Sequence, residues 1–402
     1  MRLRSILWLC LAGLAGSALL HSPALAFATL AAAAVAALVI VTRRRLFTGV
    51  TFDRSLSRRV ITWGGELEVT MSVDNDKLLP LVWLRVRDAW PVGLEPIGFG
   101  LRQVTLLGRQ ELVQTVSIRW YERLRRHYRV RCVERGTHRL GPVELEAGDP
   151  FGIAGVSQTL EARQEITVLP KVLDVPGISL LTGRPLVDEA AVRSLAVDPT
   201  ALRGTRVYRP GDPVSAVNWR ATARTGVLHT NEFDPTSTAA VRLLLDVGSL
   251  FKSWEAIDAD LMELLCVVSA SLAAAFATRG YAVGLASNAS LSQELHAVDL
   301  TPAHGALPDL LEALARLRPF TVRDYGSVLA DELADERGDA DCVLVTARLR
   351  PAVRGLLAQL RAERPTTVVF VGEPRAAEAR DADFVVPGDF DWRTADALAF
   401  RA

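Results

Sequence analysis

The chain has 402 residues, half of them apolar, and its 46 Lys plus Arg balance its 46 Asp plus Glu. That length accommodates a membrane anchor and two or three domains with cores of their own. The zero net charge carries no bulk signal for nucleic acid or an acidic partner, and no nucleic-acid partner is expected.

Two apolar runs open the chain, SILWLCLAGLAGSALL (5–20) and ALAFATLAAAAVAALVIV (24–41), separated by His21, Ser22 and Pro23. Each is near the short end of what spans a bilayer. Arg2 and Arg4 precede the first run, Arg43 to Arg45 follow the second, and the connecting loop has no Lys or Arg. The positive-inside rule then places both ends in the cytoplasm. Residues 1–45 are expected to form a transmembrane helical hairpin in the lipid bilayer, giving a multi-pass protein with cytoplasmic soluble domains. The competing reading is a signal peptide cut after ALA (24–26), which leaves the large domains facing outward.

Over 46–165 the pattern has period two. ELEVTMSV (66–73), LVWLRVRDAW (81–90), ELVQTVSIRW (111–120) and HYRVRCVERG (127–136) alternate between Gly- and Pro-rich breaks. Short strands at this spacing predict an all-β, sandwich-like domain.

Residues 166–238 read as a linker carrying a chemically dense motif, RPGDPVSAVNWRATARTGVLHTNEF (209–233). TRVYR (205–209) predicts a strand. Asp212-Pro213 is a strong helix start, so a helix is expected from Pro213 to about Arg224, ended by Gly226, with VLHTNEF as the next strand. Two readings of the motif stand. Arg206, Arg220 and Arg224 form a surface for an anionic partner, since the guanidinium fork suits carboxylate and phosphate. Alternatively the arginines pair with Asp212 and Glu232, and Trp219 fills a joint between domains.

From 239 to 402 apolar strands alternate with helices: VRLLLDV (241–247), a helix at 258–280, YAVGLAS (281–287), a helix at 306–320, DCVLVTA (341–347), a helix at 351–365, TTVVFVG (366–372), FVVP (384–387) and a terminal helix. This predicts a parallel sheet covered on both faces, with ligands at the C-terminal strand ends, here Asp246, Gly248, Ser249, Thr346 and Gly372. Cys10, Cys132, Cys266 and Cys342 stand far apart and read as buried thiols, with no zinc spacing. No phosphate loop, H-E-x-x-H or G-x-S-x-G is present.

RVYRPGDPVSAVNWRATARTGVL (206–228) followed by LLLDVGSLF (243–251), with RGTHRLGPVELEAGDPFGI (135–153) upstream, resembles the bacterial family named "domain of unknown function 58". The shared signature is R-x-Y-x-x-G-D, here Arg206, Tyr208, Gly211 and Asp212, then a block with Asn218, Trp219, Arg220 and Arg224, then a strand ending in Asp246. The resemblance implies a C-terminal α/β domain of the von Willebrand factor A type, in the bacterial cell membrane. It also implies work beside a MoxR-type AAA+ ATPase, in envelope integrity or protein maturation, and no catalytic activity. Many such domains hold magnesium through D-x-S-x-S. Here the motif reads Asp246, Val247, Gly248, Ser249, Leu250, so the metal set Asp246 and Ser249 is degenerate; Ser327 stands in for a distal Thr, and VTARLR (345–350) lacks the later acid. No cofactor is expected.

Three functions remain open from this reading. The first is a membrane-anchored, non-catalytic adaptor that engages an AAA+ ATPase or a client. The second is a magnesium-dependent adhesion module facing outward. The third is a hydrolase with an unrecognised site around Asp212, His229 and Glu232.

Overall fold

The computed structural model describes residues 23–104, 109–148, 155–177, 202–209, 217–233, 240–248, 258–291, 296–335 and 340–401, with Ala12, Gly13, Ala15 and Gly16. The chain divides into two units, Met1–Val168 and Leu169–Ala402. The first is mostly β and the second is α/β.

The first unit opens with α1 (Pro23–Arg45). Of the first apolar run, only four small residues are described. One of them, Gly13, lies against α1: a Cβ there would stand 2.5 Å from Thr29 Cγ2. Among the described residues, the helix with the length and hydropathy of a membrane span is Ala259–Thr278 in the second unit, and 67% of its apolar window is buried as part of that unit's core.

Twelve strands follow: β1 (Val50–Leu56), β2 (Val60–Thr62), β3 (Glu66–Asn75), β4 (Leu81–Pro91), β5 (Leu94–Ile97), β6 (Arg102–Val104), β7 (Arg109–Ile118), β8 (Glu122–Cys132), β9 (Gly136–Leu140), β10 (Val143–Gly148), β11 (Gly155–Leu160) and β12 (Gln164–Leu169). They form sheets ordered β1-β3-β8-β5, β11-β10-β4-β7-β6 and β2-β12-β9. The alternating runs of the sequence are the long central strands. Along β3, Leu67, Val69, Met71 and Val73 point inward while the residues between them do not, which is what a half-buried strand requires. Val69 lies opposite Tyr128 in the β3–β8 register. Tyr128, Trp90 and Phe99 meet edge to face in one core cluster.

One buried ion pair joins all three sheets. Arg54 Nη1 on β1 donates to both oxygens of Asp88 on β4, at 2.6 and 2.7 Å. Arg54 Nε donates to Gln164 Oε1 on β12 at 3.1 Å, and Trp90 Nε1 donates to Asp88 at 2.7 Å. Both charged side chains are almost fully buried. A buried charge is tolerated only when its partners are all present. Asp88→Ala is therefore expected to destabilise the first unit by about 3–5 kcal/mol, because it strands the Arg54 charge. Urea unfolding followed by tryptophan fluorescence checks this.

The second unit contains a two-stranded ribbon, β13 (Leu202–Val207) with β14 (His229–Phe233), and between them the short α2 (Trp219–Thr225). Its α/β part runs β15 (Ala240–Leu245), α3 (Ala259–Thr278), β16 (Ala282–Leu291), β17 (Ala297–Ala303), α4 (Leu307–Arg316), β18 (Leu317–Thr321), α5 (Tyr325–Ala334), β19 (Asp341–Thr346), α6 (Pro351–Glu363), β20 (Thr366–Val371) and β21 (Phe384–Val386). The sheet order is β17-β16-β15-β19-β20-β21, with β18 also on β16. The four contacts from β16 through β21 are parallel. The expectation of a wholly parallel sheet needs correction, because β17 and β18 run antiparallel to β16. The continuous apolar runs are the central strands: every residue of β19 is buried. The cap of α3 is Asp258, whose side chain accepts from Leu261 N at 3.0 Å.

The expected terminal helix is also corrected. After β21 the chain makes turns and isolated bridges. Lys171 Nζ takes the carbonyls of Trp392, Arg393 and Ala395 at 3.1, 2.9 and 2.7 Å, so these acceptors converge on one cation, and Trp392 is buried.

Cys132, Cys266 and Cys342 are buried, as their sequence context predicts. Burial pushes the thiol of Cys132 up to about 11 and that of Cys342 to about 12, which keeps both protonated and unreactive. Cys10 lies outside the described residues.

Candidate functional site

The motif of the linker is built locally. Val217 forms an isolated antiparallel bridge with Thr230, and Asn218 N donates to His229 O at 2.8 Å, so the chain is still extended at that point. Asn218 then caps α2: its Oδ1 accepts from Ala221 N at 2.9 Å, and its Nδ2 donates to Asn231 Oδ1 at 2.6 Å. The described helix therefore begins at Trp219; the expected start at Pro213 lies outside the described residues, and Val217 and Asn218, placed within the expected helix, are extended, a correction to the sequence reading. Local cap chemistry favoured Asp212, but the bridge to β14 holds Val217 extended. Gly211 and Asp212 lie outside the described residues. Gly226 ends α2 as expected, with φ 70° and its N–H on Thr222 O.

Trp219 departs further from expectation. Read as the filler of a domain joint, it is instead 67% exposed. No residue of α2 is buried. Arg220 and Arg224, one helical turn apart, are exposed and make no ion pair among the described residues; their expected partners, Asp212 and the Glu232 side chain, lie outside them. Arg206 is half-buried on β13, with Nη1 donating to Val207 O at 3.3 Å, and Tyr208 N donates to Leu228 O at 2.9 Å just beyond it. Glu232 lies on β14, and its side chain is outside the described residues. His229 Nδ1 sits 2.7 Å from Val227 O and 3.2 Å from Thr225 Oγ1, which fixes its ring against the local turn.

The second place is the end of the central strands. The sheet order reverses between β15 and β19, and in open α/β sheets ligands bind in the crevice at that switch. Asp246 directly follows β15 and is fully buried. Its Oδ1 accepts from Asn288 Nδ2 at 2.7 Å and Gly248 N at 2.8 Å, and Thr346 Oγ1 lies 3.3 Å from Oδ2. Asn288 Oδ1 accepts from Val247 N at 3.0 Å, and Asn288 O accepts from Val322 N at 3.0 Å. Burial pushes the Asp246 carboxyl up; the bonds from Asn288 and Gly248, nearby Arg350 and Thr346 oppose this.

Above this network opens a cleft of ≈ 500 Å³ lined by residues that include Gly248, Asn288, Arg323, Asp324, Arg348 and Arg350. Arg350 pairs with Asp324 at 3.2 Å, and Arg323 pairs with Asp331 at 2.5 Å. Arg323 Nε is buried without a hydrogen-bond partner among the described residues. Arg348 makes no ion pair among the described residues. The cleft thus carries three guanidinium groups against one carboxylate.

The resemblance raised a magnesium site here. Ser249 lies outside the described residues, and the Ser327 hydroxyl donates to Asp324 O at 2.7 Å within the first turn of α5. Asp246 spends Oδ1 on two donors, and its charged neighbour is Arg350. Among the described residues, no three His, Cys, Asp or Glu side chains gather as a metal set. These donors do not fit a divalent cation, which needs several hard oxygens. Sequence reasoning found Asp246 and Thr346 but missed Asn288 and the three arginines. Arg348 and Arg350 stood in VTARLR, where the missing acid was the visible signal; Asn288 sits inside β16 and gave none.

Asp246→Ala is expected to lower the stability of the second unit by about 3 kcal/mol, since it leaves the Asn288 amide and Gly248 N–H buried without an acceptor. Chemical unfolding of the purified variant beside the wild type measures it.

Comparison with known proteins gives two kinds of likeness. The family described as "Protein of unknown function DUF58" matches residues 204–383, which take in the motif, the cleft and most of the α/β sheet. The chain is similar to "Uncharacterized protein YeaD" of Bacillus subtilis (strain 168), 23% identical over 339 residues, covering 83% of this chain and 78% of that protein. Among solved structures, the CARDB domain of the PF1109 protein from Pyrococcus furiosus aligns with 30% of this chain and 91% of its own, at 13% identity and TM-score 0.20. The major pilin SpaD from Corynebacterium diphtheriae aligns with 32% of this chain and 37% of its own, at 10% identity and TM-score 0.24. Scores this low carry no argument.

Proposed function

We propose that the chain is a membrane-anchored, non-catalytic adaptor of the DUF58 type, whose second unit engages a partner protein. The observation that carries this reading is the exposed indole of Trp219 flanked by Arg220 and Arg224. Tryptophan and arginine are the side chains most enriched at interface hot spots. A folded chain that holds an indole 67% in water, on a helix with no buried residue, gains nothing from it in isolation.

The anchor reading is supported by the charge pattern of residues 1–45 and by the close approach of Gly13 to Thr29. The two positions are equidistant from His21, as an antiparallel hairpin turning at that residue requires. Small residues at a helix contact are how apolar helices pack within lipid. The strand order β17-β16-β15-β19-β20-β21, with β17 antiparallel, supports a von Willebrand factor A-like reading of the second unit. The partner we favour is a MoxR-type AAA+ ATPase, on family resemblance, with the soluble units cytoplasmic. The arginine-lined cleft at Asp246 offers a second contact, for a carboxylate of the partner.

The test is recovery of bound proteins from detergent extracts of the native cell with tagged, full-length wild type, Arg220→Ala and Trp219→Ala. An AAA+ ATPase recovered with wild type and reduced at least tenfold with either variant, at unchanged thermal stability, is the expected result. Equal recovery in all three would remove α2 as the docking surface.

A further inference from the structure

Outside α1, the three most exposed large apolar side chains of the described first unit are Leu78, Tyr121 and Trp120, at 73%, 66% and 60%. Scattered exposed hydrophobics are ordinary on any protein surface. These three are not scattered. Leu78 lies in the β3–β4 turn, and Trp120 and Tyr121 make the β7–β8 turn. Tyr121 N donates to Lys77 O at 3.3 Å, which ties the two turns together. Glu122 Oε2 accepts from Arg119 N at 2.6 Å and closes the second turn, with Tyr121 in the left-handed region at φ 51°.

The same turns hold the exit of α1. Lys77 Nζ donates to Leu46 O at 2.6 Å, and Asp76 N donates to Gly49 O at 2.7 Å. Leu46, the residue after α1, is buried in the core cluster of Leu81, Leu84 and Ile118. A Cβ on Gly49 would stand 3.1 Å from Asp76 O, so the chain passes the β3–β4 turn at close range. The aromatic turn is therefore fixed beside the point where α1 becomes the β-rich unit, and Arg44 and Arg45 are exposed there.

We propose that this end of the first unit docks on the interfacial layer of the bilayer, with Trp120, Tyr121 and Leu78 seated among lipid headgroups and upper acyl chains. The proposal rests on the anchor reading of α1. Tryptophan and tyrosine partition to that layer because one end of each ring system is apolar and the other seeks hydrogen bonds. Arg44 and Arg45 meet lipid phosphates at the same depth. The acidic groups of this end are partly occupied: Asp74 takes Arg123 Nε at 2.6 Å, and Glu122 takes the Arg119 N–H. Docking would fix the β-rich unit against the membrane instead of leaving it to swing on its helix.

The test uses full-length protein reconstituted in phosphatidylcholine–phosphatidylglycerol vesicles whose acyl chains are brominated near the headgroup or near the bilayer centre. Wild type is compared with Trp120→Phe, a conservative change at an exposed site. Whichever way the protein inserts, the β-rich unit faces the leaflet beside its own anchor. The expected result is a tryptophan component quenched by shallow bromines in wild type and lost in Trp120→Phe. Quenching from Trp8, which opens the first apolar run just after Arg4, is common to both forms and cancels in the difference between them. Alkaline carbonate extraction of the same vesicles separates the two ways the idea can fail. Protein retained by the membrane with identical shallow quenching in both forms would overturn the docking and leave the anchor standing. Protein stripped by carbonate would remove the anchor and the docking together.

Discussion

A carboxylate taken out of water must be met by donors on every side, and each unit of this chain is organised around one. Asp88 sits where three sheets converge and takes Arg54 and the Trp90 indole. Asp246 sits where the order of the α/β sheet reverses and takes Asn288 and Gly248. Neither is a surface ion pair of small consequence. In both, the geometry of several strands is specified by the need to satisfy one buried group. The Asp246 network holds the ends of β15, β16 and β19 in register beneath an open cleft, and it uses up the oxygen on which a metal site would depend. The charge that faces the cleft is then set by arginine.

What the sequence made legible was mostly local. Alternation at 66–73 and 81–90 identified β3 and β4, and unbroken apolar runs identified β15, β19 and β20, because burial on one face or two faces leaves a direct trace in the residue order. Gly226 marked the end of α2 because only a left-handed residue fits there. The errors came where distant contacts overruled local chemistry. Asp212-Pro213 is the stronger cap signal, yet the bridge from Val217 to Thr230 holds Val217 extended and the cap of α2 falls on Asn218. Trp219 was expected inside because tryptophan usually is, and nothing in its neighbours could show that α2 buries no side at all. The terminal segment carried enough helix-forming residues to suggest a helix, but its carbonyls are claimed by Lys171. The cleft arginines come from two separate stretches, 323 and 348–350, and only the folded sheet brings them together.

The two surfaces that remain unexplained by folding share a composition. Trp219 with Arg220 and Arg224, and Trp120 with Tyr121 beside Arg44 and Arg45, each set aromatic rings in water near exposed arginines. Such surfaces cost solubility in isolation, which is why one is proposed to meet a protein and the other a lipid leaflet. Both lie on turns or short helices carried by strands, which is where recognition elements are commonly placed.

The clasp at Lys171 sets the order in which this protein can come into being. Lys171 leaves the ribosome with the end of the first unit, and the carbonyls it binds follow only 221 to 224 residues later. The β-rich unit can close on itself as soon as β12 emerges. The α/β unit cannot close this clasp until residues 392–395 are made, and until then the lysine lacks those acceptors. The interval between the two halves of the clasp is when the second unit is most exposed to aggregation and most in need of a chaperone.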